Sequence, residues 1–219
     1  MLGSLPPAPP RHNRLLLALG VCTFMVGLDG RIVAPLLPSM ARDFQTSLAI
    51  ASYSVSFYLL PYGLFQLGYG PLADRFGKIR VAAYAMLAFS AGTAACGAFG
   101  GLGALLTLRA ATGATAAALI PLTIAHIGDT VPYARRQAAL GLLMASSGAA
   151  QSLSTSAGGL LATWISWRNI FPLLGGLSLL ATAWLFREAA TPAAKAPERP
   201  DASASYAEAL RSGLRPLLV

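Results

Sequence analysis

The sequence predicts an all-α membrane protein with six transmembrane helices arranged as two inverted three-helix repeats. Three observations carry that expectation. Of 219 residues, 55% are hydrophobic and only 11% charged, a balance found in membrane proteins rather than soluble domains. Residues 44–73 and 81–108 contain no Asp, Glu, Lys or Arg, and each run exceeds the roughly 20 apolar residues that cross a bilayer. Between them charge is concentrated in one short segment, residues 70–80, through Asp74, Arg75, Lys78 and Arg80.

In hydrocarbon every backbone amide needs a partner within its own segment, so uninterrupted apolar runs of this length imply helices. In order, the spans are expected at residues 15–37, 48–69, 81–100, 102–127, 138–165 and 169–186, with the short connections of a compact bundle. Arg11 and Arg14 precede the first span as in a secretory signal. That span nonetheless runs past Asp29 to Pro35 and Pro38 without a small-residue cleavage site, so it is expected to stay attached. Span two carries Tyr58, Tyr62, Phe65 and Tyr69 at helical spacing. Spans four and five are crowded with small residues, around Gly113 and from 146 to 159, which let helices approach closely. Cys22 and Cys96 fall inside spans and imply no disulfide framework.

The chain divides into an arm (1–14), the six-span bundle (15–187) and a cytoplasmic segment (188–219). The last is rich in Pro, Ala and charge, as a flexible linker is. A short surface helix is expected at 203–215, and apolarity resumes at Leu217-Leu218-Val219, which reads as the truncated start of a second half.

Basic residues near span ends stay on the cytoplasmic side. Twelve of the sixteen fall in the arm, alternate loops and the tail, placing both termini in the cytoplasm and the chain in a bacterial inner (plasma) membrane. The net charge of +8 is therefore topological, and its counterpart is anionic headgroups. Without a basic stripe interleaved with aromatics, nucleic acid is not an expected partner.

Three ionisable residues lie inside spans: Asp29, Arg31 and Arg109. A charge at the centre of a span is unfavourable by about 2.5–3.5 kcal/mol on insertion scales and survives mostly where pairing or function keeps it. At ~1.5 Å per residue, Asp29 lies roughly 21 Å from the cytoplasmic start of span one and Arg109 roughly 10 Å from the outer start of span four. In a core about 30 Å thick the two levels nearly coincide. They are expected to meet, either as a static tie between spans or as a carboxylate that exchanges a proton as its cationic partner approaches and withdraws. Arg31 points to another face and snorkels outward.

Tyr58, Tyr62, Gln66 and Gln151 are candidates for a substrate cavity; packing between helices or against lipid is the other reading of the same residues. No P-loop, metal-spaced His/Cys cluster or nucleophile with its base is present, so neither an enzyme nor a cofactor is expected.

The segment Gly70-x-x-x-Asp74-Arg75-x-Gly77-Lys78 resembles the loop motif between spans two and three of the major facilitator superfamily. Arg80 stands one place beyond the family's second basic residue. The resemblance covers nearly the whole chain, as the amino-terminal half of the twelve-span drug and metabolite efflux branch. Leu28-Asp29 before Pro35 and Pro38 resembles that branch's first span, Arg109 with Gly113 its fourth-span R-x-x-x-G, and the run from Trp167 to Phe171 the start of its sixth. Span five departs from the pattern, with Ser154 to Gly159 where antiporters carry Gly-Pro before a glycine pair, so no proline bend is expected there.

The resemblance implies that residues 70–80 latch the inward-closed state, that Asp29 and Arg109 handle protons or substrate, and that the chain is part of a secondary transporter. The activity expected is proton-coupled efflux of a small organic molecule. Partners would be that substrate, protons, the bilayer, and a missing carboxyl-terminal half or a second copy. Two alternatives stand beside it: a non-transporting truncated half or scaffold, and an uptake carrier for a metabolite or sugar.

Overall fold

A computed structural model describes residues 10–190. Among them every element is helical: α1 (Pro10–Asp43), α2 (Leu48–Ala51), α3 (Tyr53–Phe76), α4 (Lys78–Ala95), α5 (Leu102–Ala116), α6 (Leu119–Thr130), α7 (Tyr133–Trp164) and α8 (Trp167–Ala189). Four stretches are long and apolar enough to cross a membrane: Asn13–Asp43, Leu48–Phe76, Leu102–Thr130 and Trp167–Ala189. α4 and α7 fall outside that set; α4 opens on Lys78 and Arg80, and α7 opens near two arginines and is rich in Ser, Thr and Gly. The linker and surface helix expected beyond residue 190 lie outside the described residues.

The helices differ from the expected spans in ways the sequence explains. α1 is longer at both ends and begins inside the segment assigned to the arm. It continues through Pro35 and Pro38, and α7 packs closely on the first of them: a Cβ on Gly158 of α7 would stand 2.8 Å from Pro35 Cγ. α1 then closes on Gln45, in the left-handed region at φ 50°, with Thr46 N–H donating to Ala41 O at 2.9 Å and Gln45 N–H to Arg42 O at 3.2 Å. These two bonds form a Schellman cap. The fourth span is broken between α5 and α6 at Ala117 and Ala118, both fully buried. Pro121 accounts for the break, since it has no N–H to donate to the Ala117 carbonyl and its ring crowds that oxygen.

Packing rests on three helix pairs: α1 with α7, α3 with α5 and α4 with α8. Each pair closes where a glycine removes a side chain. Hypothetical Cβ atoms would stand 3.0 Å from Ala150 Cβ at Gly27, 2.1 Å from Tyr58 O at Gly113 and 2.5 Å from Ala94 N at Gly175. Each pair is also bonded through a hydroxyl. Ser154 Oγ donates to Leu28 O (2.7 Å), Tyr69 OH donates to Ala114 O (2.9 Å), and Ser90 Oγ and Thr182 Oγ1 share a hydrogen at 3.1 Å. Where lipid leaves no hydrophobic drive between helices, close backbone approach and polar contacts supply the association.

Two ends of the bundle follow from these contacts. At one lie the Gly77 turn, Leu16, Ile127 and the last turns of α8; at the other lie Asp43, Phe99 and the first turn of α8.

Substituting Gly175 by Val forces a side chain onto the backbone of Ala94, whereas its neighbour Gly176 faces open space. Overpacking of this kind is destabilising by about 1–3 kcal/mol. Thermal unfolding of the purified protein should show a lowered midpoint for Gly175→Val and little change for Gly176→Val.

Candidate functional site

Midway along α1 and α5 a carboxylate and a guanidinium meet out of contact with solvent. Arg109 Nη1 donates to Asp29 Oδ2 at 2.6 Å, and the two side chains are 0% and 1% exposed. Arg109 is also held by α3: its Nε donates to Ser54 O at 3.4 Å, and its Cζ stands 4.2 Å from the centroid of the Tyr58 ring. Phe171 of α8 closes a further side, 6.0 Å from the same carbon. Four helices thus converge on one cation.

Local sequence explains why this convergence is possible. Gly113 stands four residues after Arg109, on the same face of α5, and admits the backbone of Tyr58 against it. That contact brings the α3 turn containing Ser54 into hydrogen-bonding reach of Arg109. Gly30, next to Asp29, lies against the edge of the Tyr58 ring: a Cβ there would be 3.4 Å from Cε1 and 3.7 Å from the hydroxyl. Three buried atoms of the cluster have no hydrogen-bond partner among the described residues: Asp29 Oδ1, Arg109 Nη2 and Tyr58 OH. Groups of that kind are rare in protein interiors and mark places where another arrangement or a ligand supplies the bond.

The cavity candidates separate. Tyr58 is 2% exposed and faces Arg109, so its ring offers no open surface for stacking. Tyr62 stacks on it with centroids 6.0 Å apart and lies within reach of Gln66; both are partly buried, as is Gln151 on α7. Phe65 points outward. A groove of about 640 Å³ opens elsewhere, between the ends of α3 and α4, lined by Tyr69, Phe76, Arg80 and Tyr84 among others.

The segment 70–80 is a helix end rather than an extended turn. Gly70, Asp74 and Arg75 lie within α3, Lys78 and Arg80 open α4, and the chain reverses at Gly77 alone. Gly77 has φ +90°, a conformation glycine adopts without strain; Gly70 is helical and needs no such freedom. Asp74 is exposed in the last turn of α3 and does not cap α4, whose N-cap is Gly77. The acidic partner of this corner is Asp129 at the end of α6, which forms an ion pair with Lys78.

The opposite end carries a cluster that the sequence analysis passed over. Arg168 Nε and Trp167 Nε1 both donate to Asp43 Oδ2, at 2.9 and 3.1 Å, and Arg168 Nη1 donates to Phe99 O at 2.8 Å. The guanidinium also stands over Trp167, 4.6 Å from its ring centroid. One arginine thereby joins α1, α8 and the α4–α5 connection. The signal was available: Asp43 and Arg168 are opposite charges at span ends that the expected topology puts on the same surface.

A bundle of apolar helices enclosing one mid-depth ion pair, with charged contacts at both ends, is the architecture of an integral membrane protein. The chain belongs to the Major Facilitator Superfamily, which it matches over residues 19–219. It is 34% identical over 177 residues to the puromycin resistance protein pur8 of Streptomyces alboniger, covering 80% of this chain and 35% of that protein. It is 31% identical over 168 residues to the MFS-type transporter YceJ of Bacillus subtilis, covering 77% of this chain and 43% of that protein. Among solved structures, a bacterial homologue of the human lysosomal transporter Spinster, inward-facing and unoccupied, superposes with a TM-score of 0.70 at 19% identity, covering 89% of this chain and 45% of that one. The chain therefore spans less than half the length of the proteins it resembles.

Replacing Arg168 by Ala removes two side-chain hydrogen bonds at a half-exposed site, where such contacts are worth little individually. A loss of about 1 kcal/mol in unfolding free energy is expected. Arg168→Lys should restore little of it, because one ammonium cannot reproduce the planar fork that reaches both Asp43 and Phe99.

Proposed function

We propose that this chain is the six-span amino-terminal half of a secondary transporter that exports a small organic molecule in exchange for protons. The observation that carries this reading is the buried Asp29–Arg109 pair. A carboxylate withdrawn from water beside one removable cation has two stable states, ionised and paired or protonated and released, and protonation shifts the balance between them. Alternating access then places the site toward one side of the membrane and then the other. The resistance named for the Streptomyces relative supports efflux over uptake.

The helix pairing supports six spans in two inverted repeats. Taken as six rods (α1, α2 with α3, α4, α5 with α6, α7, α8), the exchange of rods one to three with four to six turns the α1–α7 pair into the α5–α3 pair. It leaves the α4–α8 pair in place. Such a pairing pattern is what two related three-helix repeats would give, and it supports that reading. In this reading both termini are cytoplasmic, the membrane is a bacterial inner membrane, and the substrate path runs past Tyr62, Gln66 and Gln151. The Gly77 corner, with Gly70, Asp74, Arg75, Lys78 and Arg80, latches the closed cytoplasmic side.

Of the four span-length stretches, Leu48–Phe76 is the least buried, and Leu60, Leu64, Phe65 and Leu67 are exposed along it. That apolar face suits a second six-span half or a second copy. A scaffold that does not transport is the alternative reading.

Reconstitution into proteoliposomes with an imposed pH gradient separates these readings. The transporter, supplied with its second half, should move a cationic aromatic test compound only while the gradient lasts, and Asp29→Asn should reduce that flux at least tenfold. Gradient-driven flux that Asp29→Asn leaves unchanged would remove Asp29 from coupling. A latch at the Gly77 corner further requires that Asp74→Asn alter the labelling of cysteines engineered on the cytoplasmic side.

A further inference from the structure

Asp29 changes charge in the reading above, and Arg109 then lacks its counter-ion while remaining wholly buried. The surroundings decide what the pair does in that state. Arg109 faces Asp29 from α5. α3 contributes Tyr58 and, stacked on it, Tyr62; the end of α4 contributes Cys96. α7 carries its titratable groups in its first turn and α8 in its terminal turns, and α6 carries His126 and Asp129 in its last two turns. Arg31, on α1 itself, is exposed. No second carboxylate therefore stands ready to take the guanidinium among the described residues. The group positioned to do so is Tyr58, whose ring face is 4.2 Å from Arg109 Cζ and which is 2% exposed.

The same side chain has an unused hydroxyl. Tyr58 OH and Asp29 Oδ1 are both buried without a hydrogen-bond partner, and Gly30 holds the Tyr58 ring edge and hydroxyl against the α1 backbone one residue from Asp29. A protonated carboxyl is a donor and a phenol accepts as readily as it donates. We propose that Tyr58 is the positioning residue of the Asp29–Arg109 site, its ring retaining Arg109 and its hydroxyl accepting the hydrogen bond of the protonated Asp29 carboxyl.

The proton balance is simple. A proton from water adds to Asp29 Oδ1, the bond between Arg109 Nη1 and Asp29 Oδ2 is released, and the new O–H donates to the Tyr58 oxygen. Arg109 stays protonated, on the Tyr58 ring and Ser54 O, and Tyr58 keeps its own proton. One new hydrogen bond to Tyr58 thereby replaces one ionic contact, while the ring contact between Tyr58 and Arg109 is kept. A cation over a desolvated aromatic face is among the stronger non-ionic placements available to a guanidinium. The arrangement also gives Gly113 and Gly30 a reason beyond packing, since each admits a different part of Tyr58.

This inference rests on Asp29 being the proton-carrying group, and the experiment tests the two separately. Infrared difference spectra of the purified protein in lipid nanodiscs, collected across a pH series, report the protonated-carboxyl band of Asp29, assigned by its loss in Asp29→Asn. The wild type should show that band growing as pH falls. Tyr58→Phe keeps the ring and removes the acceptor, so the ratio of protonated to ionised Asp29 at a given pH should fall roughly fivefold, as the loss of one hydrogen bond implies. Tyr58→Leu removes both contacts and should lower the ratio further, with its helical content checked by circular dichroism. A titrating Asp29 band that Tyr58→Phe leaves unchanged would overturn the role of Tyr58 while leaving proton carriage intact. The absence of any band lost in Asp29→Asn would overturn both.

Discussion

The structure depends on an arginine held out of contact with solvent. Arg109 is the largest fully buried side chain among the described residues, and an unpaired charge in such a place is unfavourable by several kcal/mol even after local relaxation. Everything close to it is arranged to meet that demand. α1 contributes the carboxylate, α3 a carbonyl and an aromatic face, and α8 a second ring. The glycines beside Asp29 and four residues after Arg109 permit those helices to come near enough. Packing and electrostatics are therefore one problem here, because the α3–α5 approach at Gly113 also delivers Ser54 O to the guanidinium.

Around this centre the bundle is secured at both ends by charges of a different kind. Lys78 with Asp129, and Arg168 with Asp43, are half-exposed pairs, weak individually and screened by salt. Their value is geometric: each joins helices that are not neighbours in sequence. Weak outer ties around one buried inner tie leave the ends of the bundle free to exchange contacts with solvent, as the proposed rearrangement requires.

Much of this was legible in the residues. Charge-free runs located the helices, and residue counting at a fixed rise placed Asp29 and Arg109 at one level, because α-helical geometry leaves depth almost no freedom. The break at Ala117 and Ala118 was missed although Pro121 announces it; composition alone treats proline as tolerable inside an apolar run. The clamp of Asp43, Trp167 and Arg168 was missed because each residue is an ordinary span end until topology puts them side by side. Tyr58 kept two readings, cavity surface and packing between helices, since helical spacing shows which residues share a face but not which neighbour covers it. The charged corner at Gly77 joins two helices as its sequence position implies, yet its acidic partner, Asp129, comes from a helix fifty residues away and no local pattern indicates it.

The central claim is that Asp29 and Arg109 stabilise each other across the bundle rather than merely lying close. A double-mutant cycle on unfolding free energy in bicelles, using Asp29→Asn, Arg109→Gln and the pair together, measures this directly. The account predicts that each single change is destabilising by about 3 kcal/mol or more, since it leaves one buried charge alone, and that the double change recovers at least about 2 kcal/mol of their sum. Single effects that simply add, within about 0.5 kcal/mol, would show that the two charges do not depend on each other and would contradict the account.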